Sequence, residues 1–286
     1  MQIGAIFPQT EIGYDLGAVR AFGEAVADLG YSHICAYDHV LGADTAVHGD
    51  LGGPYTIDEP FREPLLMFAY LAACTRLAFA TSVLIGPQRQ TALLAKQVTE
   101  LDILCEGRFR LGLGIGWNKV EYDALGQSFS ERGAILEEQV EVLRLLWTQK
   151  SVTFDGRFHH IEAAGLAPLP VQRPVPIWIG AHAPAALRRV GRVADGWFPQ
   201  VRPGGGLDQC LALIAEGAVE VGRDPASIAF EGRLNYGTGD LDLIGTHAER
   251  WRAAGASHVS VNTMGSGCAG VDEHIAGLAA IIDVVH

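Results

Sequence analysis

Asp38 and His39 stand side by side where an apolar run, SHICAY at 32 to 37, gives way to a long polar stretch. Imidazole is the side chain most readily poised to exchange a proton near neutral pH, so His39 is the acid/base candidate. A histidine merely hydrogen-bonded at a strand end is the plain alternative. A second stretch, PIWIGAHAPAALRR at 176 to 189, reads as a strand, a turn through Gly180, Ala181, His182 and Ala183, and a helix with Pro184 in its first turn. Free N–H groups and the positive end of a helix dipole there suit a phosphate. A third, FRLGLGIGWN at 109 to 118, places glycines at 112, 114 and 116. The dinucleotide fingerprint G-x-G-x-x-G needs a further glycine at 117 or 119, positions that Trp117 and Lys119 occupy, so the fingerprint fails. What is left is a period of two, with Leu111, Leu113 and Ile115 on one face and bare backbone on the other. A glycine row in a strand marks a barrel bend or the close approach of a ligand or another backbone.

Other chemistries lack their signatures. There is no G-x-x-x-x-G-K-[ST], no G-x-S-x-G and no H-E-x-x-H. His159 and His160 are adjacent and point to opposite faces of a strand, a poor ligand pair, so no metal is expected. The five cysteines, Cys35, Cys74, Cys105, Cys210 and Cys268, are odd in number and form no C-x-x-C pair, which suits reduced core thiols.

These residues need elements to hold them. Apolar runs alternate with helix-length amphipathic runs from end to end: IGAIF and a helix over 15–29, SHICAY and a helix over 63–75, LAFATSVL at 77–84 and a helix over 91–104, the glycine strand and a helix over 131–147. A hairpin at 151–162, turning at Asp155-Gly156, and the proline-rich PLPVQRPVP interrupt the pattern up to 176. It resumes with PIWIG, DGWFPQ, ASIAFEGR and SHVSVN, each followed by a helix, near 183–194, 207–221, 241–253 and 271–284. Eight strand–helix units in 286 residues favour an α/β fold, a (β/α)8 TIM barrel in a single domain over 1–286, with loop insertions at about 41–60 and 151–176. Chemistry in such barrels sits at the carboxyl ends of the strands, which brings Gln9, Asp38, His39, Ser82, Val83, Gly116, Trp117, Asn118, Gly180 to Ala183, Trp197 and Asn262 to one mouth. Tyr55, Phe61 and Trp197 are candidates for its apolar lining.

A formal net charge of −12, with 21 Lys and Arg scattered along the chain, argues against a nucleic-acid partner. No apolar run approaches a membrane span, and the amino terminus lacks a basic start, so a cytoplasmic location is expected.

Four stretches, YDHV at 37–40, LAACTRLAFATSVLIGPQR at 71–89, LLAKQVTELDILCEGRFRLGLGIGW at 93–117 and PVPIWIGAHAPAALRRVGRVADGWFP at 174–199, occur in one order, and in this the chain resembles the bacterial luciferase-like family. Within it the resemblance is to the oxidoreductases that use the deazaflavin coenzyme F420. The resemblance implies a (β/α)8 barrel with a mid-chain insertion, a non-proline cis peptide at Ser82-Val83 against which the tricyclic ring leans, Asp38 and His39 facing that ring, His39 as proton donor or acceptor, Gly116 and Trp117 beside it, and Gly180, Ala181, His182 and Ala183 on the phosphate. It also implies a homodimer and a small-molecule substrate. Relatives often read Gly-Gly-Ser where this chain has Gly180-Ala181-His182, and some place a carboxylate at the end of the fourth strand, where Trp117 stands with Glu121 a turn later. The reading is a hydride-transferring oxidoreductase; an FMN-dependent monooxygenase and a non-catalytic flavin-binding barrel are its rivals.

Overall fold

In the computed structural model, which describes residues 1–285, each apolar run forms a strand beside the next. β1 (Gln2–Ile6) leads to α1 (Leu16–Asp28), which Asp15 caps by accepting the Gly17 N–H and which stops at Gly30, with φ of 85°. β2 (His33–Ala36) is followed by a one-turn helix, α2 (Thr45–His48), and then α3 (Pro64–Cys74), capped by Glu63. The third strand comes in two pieces, β3 (Ala78–Thr81) and β4 (Leu84–Ile85), separated by the cis Ser82-Val83 peptide. Next are α4 (Thr91–Leu104), β5 (Phe109–Gly114), the short α5 (Lys119–Ala124) and the long α6 (Arg132–Thr148). The hairpin is β6 (Val152–Asp155) and β7 (His160–Ala164). The chain closes with β8 (Ile177–Ala181), α7 (Pro184–Val193), β9 (Gly196–Pro199), α8 (Gly205–Glu220), β10 (Ala229–Asn235), α9 (Leu241–Ala253), β11 (His258–Asn262) and α10 (Val271–Val285).

Every barrel pairing is parallel. The sheet runs β3-β2-β1-β11-β10-β9-β8-β5, and β3 pairs β5 through Phe79 with Phe109 and Ala80 with Arg110, which closes an eight-stranded (β/α)8 barrel. The two-stranded hairpin stands apart from the barrel sheet, against α6, as an insertion between α6 and β8.

The bare face of the glycine strand points into the barrel. A Cβ on Gly112 would fall 1.7 Å from the Thr81 carbonyl oxygen and 2.7 Å from the Phe198 ring, and one on Gly114 would fall 2.4 Å from Val83. Thr81 closes the contact by donating its hydroxyl to the Gly112 carbonyl and accepting the Gly112 N–H. These two glycines let β3 and β5 approach; Gly116, with φ of 62°, turns the chain out of the strand. No helix of the described residues is long and apolar enough to cross a membrane.

Candidate active site

β2 delivers Tyr37, Asp38 and His39 to the mouth. Gln9, three residues past β1, accepts the Tyr37 N–H through Oε1 at 2.6 Å, fixing the backbone as it leaves β2. The Asp38 carboxylate is fully engaged: Oδ1 accepts from Arg89 Nη2 at 2.8 Å and Oδ2 accepts the Ile85 N–H at 3.0 Å. Burial pushes this carboxyl up, and Arg89 opposes the push. Asp38 thus ties the end of β2 to β4, just past the cis peptide, and both its oxygens are held by the protein.

His39 differs. Its side chain is 6% exposed, and Nδ1 lies 3.2 Å from Glu121 Oε1. That same oxygen accepts the N–H groups of Val40 at 2.6 Å and Leu41 at 3.0 Å, while Oε2 accepts from Gln88 Nε2 at 2.8 Å. Burial alone would raise the Glu121 carboxyl; His39, Gln88 and the backbone N–H groups outweigh it and hold it below the usual range. An ionised acceptor at Nδ1 places a proton there, which leaves Nε2 as the ring's unprotonated nitrogen. Nε2 is buried and has no hydrogen-bond partner among the described residues.

Aromatic rings box in this imidazole. Phe61 meets it edge-on at 5.3 Å, Trp117 stacks at 6.1 Å and Tyr55 lies 6.0 Å away, itself against Phe61 at 4.5 Å. Tyr55 belongs to the stretch 41–60, which folds over the mouth. Gly53 sits so close to Trp117 that a Cβ would fall 2.0 Å from the indole, and Gly42 so close to the Thr56 carbonyl that one would fall 2.1 Å from it. The loop therefore depends on missing side chains at two points to lie down.

The remaining candidates gather at the same end. Val83, past the cis peptide, occupies the space left by Gly114 and Gly180, where added Cβ atoms would fall 2.4 and 2.9 Å from it. Gly180 and Ala181 end β8, and His182 and Ala183 form the exposed turn into α7. No side chain caps α7, so its first N–H groups are free for a ligand. Trp197 departs from the expected pocket lining. It is 1% exposed, its Nε1 donates to the Ala181 carbonyl at 3.0 Å, and its ring packs toward Phe230, so it belongs to the core.

Glu121 is the residue that reading the strands alone left without a role. A signal for it exists. Asn118 and Glu121 stand at helix-start spacing, and Asn118 does cap α5 by accepting the Glu121 N–H, but α5 is only six residues long and falls between two longer runs.

Comparisons with known proteins bear on the family and the fold. Residues 4–272 match the family model described as luciferase-like monooxygenase. An F420-dependent glucose-6-phosphate dehydrogenase of Nocardia farcinica is 32% identical over 254 residues, covering 84% of this chain and 73% of the relative. Among solved structures, an F420-dependent secondary alcohol dehydrogenase in complex with an F420-acetone adduct superposes with a TM-score of 0.81 at 19% identity, over 100% of this chain and 99% of the other. A type II Baeyer-Villiger monooxygenase, the oxygenating constituent of 3,6-diketocamphane monooxygenase from Pseudomonas putida, in complex with FMN, superposes with a TM-score of 0.73 at 15% identity, over 100% of this chain and 98% of the other. At these identities the two structures speak for the fold alone.

Proposed function

The chain belongs to the luciferase-like monooxygenase family, and on that premise we propose that it is a coenzyme F420-dependent oxidoreductase acting on a small organic substrate. The carrying observation is His39 Nε2: buried, unpartnered, walled by aromatic rings and oriented from behind by an ionised Glu121. A buried polar atom with no partner is costly unless a ligand completes it. The mouth fits a tricyclic cofactor in two further respects: the chain supplies an uncapped helix start at Gly180 to Ala183 for a phosphate, and the Ser82-Val83 segment stands at the barrel axis beside glycines.

When bound, the deazaflavin supplies hydride transfer at its central ring carbon. The protein's share is the proton and the geometry. His39 Nε2 donates a proton to the substrate oxygen, or accepts one from it in the reverse direction, and Glu121 stabilises the ring whenever both nitrogens carry protons. Tyr55, Phe61 and Trp117 keep water from the imidazole. The F420-dependent relative named above supports this cofactor, and FMN in the monooxygenase makes it the natural competitor. A homodimer and a cytoplasmic location belong to the same reading, and sedimentation of the purified protein tests the first.

The deciding experiment is a fluorescence titration of purified protein with oxidised F420, reduced F420 and FMN. Saturable binding of the deazaflavin in preference to FMN is expected. Preference for FMN moves the chain to oxygen-activating chemistry, and binding of neither removes the cofactor assignment.

A further inference from the structure

We propose that a cavity beside the mouth, between the 200–204 connection and α9, binds the phosphate or carboxylate of a small molecule whose other end reaches the barrel axis. The cavity measures about 350 Å³ and is lined by Arg202, Arg233, His247 and Arg250, with Asn235 and Tyr236 among the neutral residues. That volume suits a small ligand.

Three observations converge on an anion. The chain has 33 carboxylates against 21 Lys and Arg, and elsewhere its arginines find partners, as Arg89 does with Asp38, Arg144 with Asp195 and Arg192 with Glu137. Arg202 and Arg250 make no ion pair or side-chain hydrogen bond among the described residues, so their convergence is not explained by internal pairing. The lining has a single carboxylate, Asp240, whose Oδ1 caps α9 by accepting the Leu243 N–H at 3.0 Å, against three arginines. His247 feels the concentration of positive charge: burial, then Arg202 and Arg250, lower its pKa. An anion placed among these groups would relieve the mutual repulsion and take paired hydrogen bonds from the guanidinium groups.

One residue of the cavity also faces the barrel interior. Arg233 lines a second, smaller cavity of about 30 Å³ together with Tyr37, Ser82 and Glu231, and donates to the Tyr37 hydroxyl at 3.2 Å. Tyr37 lies two residues before His39, and Ser82 opens the cis peptide. Under the proposal, a molecule anchored at Arg202 and Arg250 runs along Arg233 toward the axis. The anionic group is either the substrate's or a carboxylate on the deazaflavin's tail, whose phosphate the start of α7 takes in the proposed reading. Assignment to either source rests on the oxidoreductase reading, while the existence of the site does not.

Inorganic phosphate, titrated into protein without cofactor and followed by calorimetry and by the His247 ring resonances, tests it. Saturable binding and a rise in the His247 titration midpoint are expected. R202Q and R250Q should each weaken phosphate binding by about tenfold or more, and both should fold normally because neither side chain has a partner to lose. R188Q, on a surface arginine paired with Glu216, is the control and should change nothing. Absence of saturation, or equal binding by wild type and the R202Q/R250Q double variant, overturns the proposal. If that double variant loses affinity for F420 but not for its tail-free deazaflavin riboside, the anion is the cofactor's; if both bind as before and KM for substrate rises, it is the substrate's. Phosphate binding in a protein that binds no deazaflavin would keep this site and refute the proposed cofactor.

Discussion

At the residue scale the proposed chemistry rests on one imidazole and one carboxylate, and they are placed to do different things. His39 offers a free nitrogen to the mouth; Glu121 is consumed by Val40, Leu41, Gln88 and the far side of His39. Replacing His39 with Ala should lower turnover by roughly 10²-fold or more if Nε2 moves the proton, with deazaflavin affinity changed far less; wild-type turnover would remove it from the mechanism. E121Q keeps an oxygen acceptor but loses the charge, and with it one charge-assisted contact. Its kcat should fall about tenfold or more, the equivalent of ~1.5 kcal/mol, while KM moves little; a change confined to KM would mean that Glu121 shapes the pocket and does not orient the ring. His39 was legible as a candidate because a histidine at a strand end is a local pattern. Glu121 was not, because its meaning lies in Val40 and Leu41, 81 and 80 residues away in the chain.

At the element scale, alternation of strand and helix sufficed to number the barrel, since eight buried parallel strands leave eight apolar runs. The errors fall where a local event breaks the period. The run 77–84 is two strands because the chain turns at Ser82-Val83, and α5 is too short to show a helical period. The hairpin was legible from its turn residues, though not its anchor. Glu138, on α6, accepts the N–H groups of Arg157, Phe158 and His159 and the His159 ring nitrogen, while His159 Nε2 lies 2.6 Å from Thr91 Oγ1. Glu138→Ala should release this tip, costing about 2 to 3 kcal/mol from several lost charge-assisted bonds, and limited proteolysis should cut between 155 and 160 well before the barrel unfolds; unchanged resistance would show that the hairpin's other contacts hold it. The loop over the mouth gives a second test. Gly53→Ala puts a methyl into the Trp117 ring, so the loop must lift and expose the His39 box. KM should rise severalfold with the melting temperature almost unchanged, and a steady-state assay beside a melting curve separates this from a folding defect.

At the scale of the whole molecule, the least legible feature is the polar centre of the barrel. Sequence alternation says which residues share a face but not that Glu231, Arg110, His33 and His258 share the inside. Glu231 is held there by His33 Nε2 at 2.8 Å, Arg110 Nη1 at 2.9 Å, Cys35 Sγ at 3.2 Å and the Ser260 hydroxyl, and Arg110 lies 4.5 Å over Trp178. His33, Cys35 and Glu231 bring three potential ligand atoms within 4.8 Å of one another, and Arg110 forms an ion pair with the other oxygen of the same carboxylate. Burial would raise Glu231, but His33 and Arg110 hold it well below the usual range. Charge packed this way makes stability depend on pH. Burial, with Arg110, lowers His258 from 6.5 to about 3. Between those values the unfolded chain takes up a proton that the native chain refuses, so this contribution is complete above about 6.5 and is lost as pH falls, at up to about 1.4 kcal/mol per pH unit. His274 and His247, also lowered, add to the same slope. H258Q removes one titrating group, so its urea midpoint should decline less steeply than wild type between pH 6.5 and 5, a window above the range where carboxylates take over. Parallel midpoint curves would mean that His258 is protonated in the native barrel, with Glu231 answering its charge.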